Sequence, residues 1–116
     1  MPKRTSRTTK TRKPKRARKP APLFTAKTAD KHALYQLAVQ APVREVKFLS
    51  RYFEKETGRA LRTLREDFCG TALMAAHFVR LHDHNHAIGV DLDLPTLEWG
   101  VTHNVNTLLD EEQKLR

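Results

Sequence analysis

The sequence predicts an α/β fold in which two helices lead into a parallel strand–helix–strand unit, and three observations carry that prediction. First, Leu64-Arg65-Glu66-Asp67-Phe68-Cys69-Gly70-Thr71-Ala72 reads as a strand that turns tightly into a helix. Second, Ile88-Gly89-Val90-Asp91-Leu92-Asp93 reads as a second strand ending in acid, about twenty residues further on. Third, the segments before and after this unit carry apolar residues at spacings of three and four, the period of helices that bury one face.

Charge divides the chain into two parts. Residues 1–20 hold ten of the 22 Lys and Arg and no Asp or Glu, so the formal net charge of +9 belongs to this tail. The other 96 residues carry 12 basic and 13 acidic side chains, a net of −1. A tail of Lys, Arg, Thr and Pro cannot bury enough apolar surface to offset its ordering entropy, so residues 1–27 are expected to be a disordered basic tail and 28–116 the folded domain. Such a tail suits a solubilising extension, an arm that attracts nucleic acid through phosphate neutralisation, or an address segment. The apolar face of an amphipathic transit helix is missing from it. No apolar run approaches the ~18 residues needed to span a bilayer, so no membrane partner is expected. The single cysteine, Cys69, allows no internal disulfide and is compatible with a cytoplasmic location.

The elements follow in order. Asp30 is placed to cap a short helix over about Lys31–Val39, with Leu34, Leu37 and Ala38 on one side. Pro42 suits the first turn of a second helix reaching Thr57, and Gly58 suits its stop; Val46, Leu49 and Phe53 form its apolar stripe. Both are expected to cover one side of a sheet. The first strand is expected over Arg62–Asp67. A helix follows Gly70, with Ala72, Ala75 and Ala76 allowing close approach to the sheet. Leu81–His86 is a polar connection and Ala87–Leu92 the second strand. Asp93 is expected to cap a third long helix, with Pro95 in its first turn and Leu97, Val101, Val105 and Leu108 recurring at near-helical spacing.

The turn and the strand-end acid resemble those of the class I S-adenosylmethionine-dependent methyltransferases, whose first motif often reads Asp-Leu-Phe-Cys-Gly-Thr-Gly. The likeness extends over about Asp30–Asn104. Tyr35 with Ala38-Val39-Gln40-x-Pro42 and Glu45-Val46-x-Phe48-Leu49 is similar to the helical lead-in of a bacterial branch; Asp91-Leu92-Asp93, Leu97-x-Trp99-Gly100 and His103-Asn104 are similar to its second strand and helix. The resemblance implies an incomplete Rossmann-like methyltransferase fold, because that family carries about seven strands and only two are legible here. Two parallel strands alone leave both edges open and most of their faces unused, so the chain is expected to be the N-terminal part of such a domain.

By the same resemblance Glu66, Cys69, Gly70, Thr71, Asp91, Leu92 and Tyr35 would hold S-adenosyl-L-methionine, Glu66 facing its methionine part and Tyr35 leaning over it. Independently of the family, a strand-end carboxylate at Asp91 suits the two hydroxyls of a ribose, and Glu66, Asp67, Asp91 and Asp93 around one turn favour a cationic ligand. One glycine where a dinucleotide site wants three argues against a nicotinamide cofactor. Thr71 can cap the helix after the turn. Phe68 and Ala72 stand where the family's pattern has its first and last glycines. Residues that select the methyl acceptor usually lie after the fourth strand, so no catalytic residue is assigned and the substrate is open.

Two weaker constellations complete the reading. His82-Asp83-His84-Asn85-His86 alternates like a zinc-binding tract but lacks a further ligand, which favours an exposed loop and no metal. Cys69 at a helix start has no base assigned to it by motif, against a nucleophile's role. The rival to a cofactor-binding function is a non-enzymatic chain that binds nucleic acid through residues 1–20.

Overall fold

The structure, a computed structural model, describes residues 24–116; the larger part of the basic tail lies outside the described residues. The chain is mixed α/β. After a turn at 26–28, its order is α1 (Lys31–Val39), α2 (Pro42–Thr57), β1 (Thr63–Asp67), α3 (Leu73–Arg80), β2 (His86–Val90), α4 (Leu94–Gly100), a π-helical turn (Val101–Val105) and α5 (Asn106–Leu108). A final 3₁₀ turn spans Gln113–Leu115. The strands pair in parallel, Leu64 opposite Ala87 and Glu66 opposite Gly89.

Local chemistry explains most boundaries. The Asp30 carboxylate accepts from the backbone N–H groups of His32 and Ala33, both at 2.9 Å, so α1 starts where the cap dictates. Pro42 opens α2, Glu45 folds back to accept from Ala41 N–H at 3.3 Å, and Gly58 closes the helix at φ 68°, a left-handed conformation that glycine adopts without steric cost. Phe78 and Val46 are fully buried, joined in the core by Ala75, Ala76, Val79, Cys69 and Leu109. On the sheet face that carries Ala87 and Gly89, Ala76 and Val79 of α3 pack with Ala87, and Ala72 and Ala75 line a small cavity beside them.

Two expectations are revised. The lead-in helices do not both cover the sheet: α2 packs chiefly on α3, and α1 buries no residue, leaving Leu34, Leu37 and Ala38 exposed. The reason is layer order, since α3 occupies the sheet face that α2 would have to reach. The strands are also shorter than read, because Arg62 contributes its carbonyl to His86 N–H but no further ladder, and Asp91-Leu92 already turn towards α4. The other sheet face keeps Ile88 and Val90 partly exposed, with an exposed Arg65–Asp67 pair at 2.9 Å beside them. Along the outer edge of β2, Ala87 N–H donates to the Arg116 carbonyl at 2.9 Å, so the last turn covers part of that edge. No described helix is long and apolar enough to cross a membrane.

Candidate functional site

At the carboxyl ends of β1 and β2 the chain makes the turn the sequence singles out, and its backbone alternates in a way its residues only partly advertise. Phe68 (φ 62°), Gly70 (φ 56°) and Ala72 (φ 54°) are all left-handed. The backbone therefore asks for glycine at three alternating positions, and one glycine is present. A Cβ in this region costs about 1–2 kcal/mol, so Phe68 and Ala72 are held there by their surroundings. A Cβ on Gly70 would meet nothing within 4 Å, so the space above this residue is open to a ligand.

The surroundings that hold the turn are specific. Cys69 N–H donates to the Val90 carbonyl at 3.0 Å and carries the ladder one step beyond β1; the Cys69 carbonyl accepts from Ala72 N–H at 2.9 Å. Asp91 Oδ2 accepts from Gly70 N–H at 2.7 Å, and its Oδ1 accepts from Asp93 N–H at 2.9 Å. One carboxylate thus ties the first turn to the one that opens α4. From the other side, the Gln36 amide donates to Thr71 Oγ1 at 2.7 Å and the Asn104 amide donates to the Thr71 carbonyl at 2.7 Å. The π-helical turn places Asn104, and Gly100 makes the approach possible: a Cβ there would collide with the Thr71 carbonyl oxygen and stand 2.7 Å from its carbonyl carbon. π turns that interrupt helices are frequent at functional sites. At the start of α1, the Trp99 indole N–H donates to Asp30 Oδ2 at 3.1 Å, and the Trp99 ring stacks on His103 with centroids 4.1 Å apart.

Charge is uneven across the turn. The Asp93 and Gly70 N–H groups hold the Asp91 carboxyl below its ordinary value, so it stays ionised. Glu66 behaves in the opposite way. Burial pushes its carboxyl up, the Glu45 charge adds to this, and the Ala75 N–H in the first turn of α3 opposes it. Its Oε2 is buried without a hydrogen-bond partner. Burial and the charges of Glu66 and Asp91 push the Cys69 thiol up, which leaves it an inert core group.

A cleft of about 310 Å³ opens between the two strand ends, lined by Asp67, Phe68, Val90, Asp91 and Leu92. The structure brings Gly70, Thr71, Asp91 and Leu92 together around this end of the sheet. Glu66 belongs to the sheet face covered by α3, and the acid that lines the cleft from β1 is its neighbour Asp67. Cys69 is buried with its sulfur under Gly89, where an added Cβ would stand 2.9 Å away. Tyr35 is exposed on α1, one residue before the Gln36 that binds Thr71.

Two capping assignments are corrected. Thr71 does not cap α3: the residue preceding the helix is Ala72, which offers no side-chain bond, and the Thr71 hydroxyl is taken by Gln36. Asp93 occupies the N-cap position of α4 but accepts from the Thr96 hydroxyl at 2.7 Å rather than from a backbone N–H. Gln36, Gly100 and Asn104 have structural roles that no reading of residue type foresaw.

The histidine tract proves to be organised by its asparagine. Asn85 is buried, donates to the Phe78 carbonyl at 2.8 Å and accepts from Arg62 at 3.1 Å, while His82, His84 and His86 are exposed. Among the described residues no group of three or more His, Cys, Asp or Glu is placed to hold a metal ion. Comparison of the chain with family models, curated proteins and solved structures finds no match.

Proposed function

We propose that this chain binds S-adenosylmethionine as the cofactor-binding part of a methyltransferase of Rossmann-like fold, its methyl acceptor being open. The observation that carries the reading is the three-point left-handed turn at Phe68, Gly70 and Ala72, tied through Gly70 N–H to a strand-end carboxylate at Asp91. This is the backbone a nucleoside needs to approach closely, written with too few glycines for a pyrophosphate.

The residues fit the group. Each Asp91 oxygen already accepts one backbone N–H, and each keeps a lone pair for one ribose hydroxyl. The open space at Gly70 admits a ligand that a side chain would exclude. Phe68, Val90 and Leu92 provide apolar cover for an adenine, and the ionised Asp91 supplies negative charge beside a sulfonium. When bound, the cofactor supplies an electrophilic methyl group; the protein's share is to position it and to exclude water.

Titration calorimetry of the chain with S-adenosylmethionine and S-adenosylhomocysteine tests the reading. Asp91→Ala is expected to weaken both ligands about ten- to a hundredfold, because both carry the same ribose. Gly70→Trp, which fills the open space, is expected to abolish binding of either. Equal affinity of the parent and Asp91→Ala would sink the assignment.

A further inference from the structure

The face of α2 turned away from the core carries a run of cationic and aromatic groups. Arg44, Lys47, Phe48, Arg51, Tyr52 and Lys55 recur at spacings of three and four, so they form one stripe opposite the buried Val46. Phe48 and Tyr52 are 65% and 56% exposed, and their rings stack with centroids 6.1 Å apart and planes 18° from parallel. The four cations are exposed, and the ion pairs among the described residues, Arg65–Asp67 and Lys114–Glu111, leave all four without a carboxylate partner. Of the acids of α2, Glu45 is folded back onto Ala41, while Glu54 and Glu56 are exposed beside the C-terminal end of the stripe. The stripe, with Ala41, Pro42 and Val43 at its N-terminal end, lines an open concavity of about 940 Å³.

An ordinary solvated helix face mixes both signs of charge and exposes few large rings. Four unpaired cations around two exposed, parallel rings instead match the two needs of a single-stranded nucleic acid: phosphates to neutralise and unstacked bases to cover. From Arg44 to Lys55 the stripe runs about 16 Å along the helix axis, long enough to follow a few nucleotides. We propose that the exposed face of α2 binds single-stranded nucleic acid, the cations tracking the backbone and Phe48 and Tyr52 stacking on bases. An acidic protein segment satisfies the cations equally well but gives the two parallel rings nothing planar to meet. The proposal does not depend on the cofactor reading, since the stripe shares no residue with the turn at Gly70.

The test is fluorescence anisotropy of the full chain with short labelled oligouridylate and oligothymidylate, with duplex DNA and polyglutamate as further ligands. Phe48→Ala and Tyr52→Ala are each expected to weaken single strands on the order of tenfold and to leave duplex binding unchanged, because duplex bases are already stacked. Tyr52→Phe, which keeps the ring, is expected to remain within about twofold of the parent. Removing two cations together in Lys47→Ala/Arg51→Ala is expected to flatten the slope of log affinity against log salt by about 1.4. Tighter binding of oligouridylate identifies RNA and tighter binding of oligothymidylate DNA, and either supports the proposal. Unchanged single-strand affinity in both alanine ring variants would overturn it and leave the basic tail as the whole binding site. Ring-dependent binding of polyglutamate equal to that of the oligonucleotides would overturn it in favour of an acidic protein partner. Circular dichroism of each variant confirms folding; the double cation variant, which keeps both rings, remains informative where a ring variant is unfolded.

Discussion

The two sides of α3 are held by different physics. On the α2 side, Val46 and Phe78 are fully buried, and burial of apolar surface is non-directional and tolerates small shifts. At the turn after β1, the ties are hydrogen bonds with fixed donors and acceptors: Gln36 and Asn104 on Thr71, and Asp91 on Gly70. Burial of a few large side chains keeps the helices together, but only directional bonds can hold Phe68 and Ala72 in left-handed backbone. The comparison teaches that a strained turn needs specified partners, whereas a helix interface needs little more than volume.

If that contrast is right, substitutions at the turn's partners should be more costly than their size suggests. The largest effect is expected from Gly100→Ala. One added methyl strikes the Thr71 backbone, which has no room to retreat, and the loss should reach about 3 kcal/mol, read as a lowered thermal midpoint. Asn104→Ala should cost about 2 kcal/mol, because it leaves the carbonyl of a buried residue without its partner. A chemical-denaturation midpoint unchanged by Asn104→Ala would remove the argument for directional support.

Smaller effects test the strain itself. Ala72→Gly is expected to stabilise by up to about 1 kcal/mol: relief of the left-handed penalty outweighs the extra freedom that glycine gives the unfolded chain. The same substitution at Ala75, in the regular turn of α3, should destabilise. A loss of stability in both variants would show that Ala72 carries no strain.

The smallest effect concerns Glu66. Its carboxyl is raised in the fold, so the folded state binds its proton more tightly than the unfolded state does. Its contribution is therefore most favourable below the ordinary glutamate range and is lost as pH rises through the raised value. Glu66→Gln, which cannot ionise, should remove that decline and raise the midpoint at neutral pH, with little difference from the parent in acid. Parallel pH profiles for the two proteins would contradict the burial argument.

Local signals proved sufficient wherever a residue acts on its own neighbours. Asp30 and Gly58 bound their helices, Pro42 opens α2, and Leu73–Arg80 follows the helical period, because caps, proline and glycine act within one turn of chain. The parallel pairing of the two strands follows equally from the helix that joins them. The turn at Gly70 was legible as a turn, and Asp91 as an acid at a strand end. What local signals cannot carry is the choice between partners far apart in sequence. Thr71 has the chemistry of a cap, yet Gln36, brought from 35 residues away, takes its hydroxyl. Asp91 looks like an acid free for a ligand, and it also closes the turn at Gly70. Glu66 and Asp67 are adjacent and alike, and only the pleat decides that Glu66 lies under α3 while Asp67 lines the cleft. By itself, therefore, the sequence determined the order and type of the main elements, the ends of α1 and α2, and the partition of charge, which depend on neighbours in the chain. The strand ends and the π turn that breaks the last long helix did not follow from it. The tertiary structure decided which polar groups are consumed in holding the turn and which are left for a ligand, because each donor can be satisfied by any acceptor that packing brings within reach.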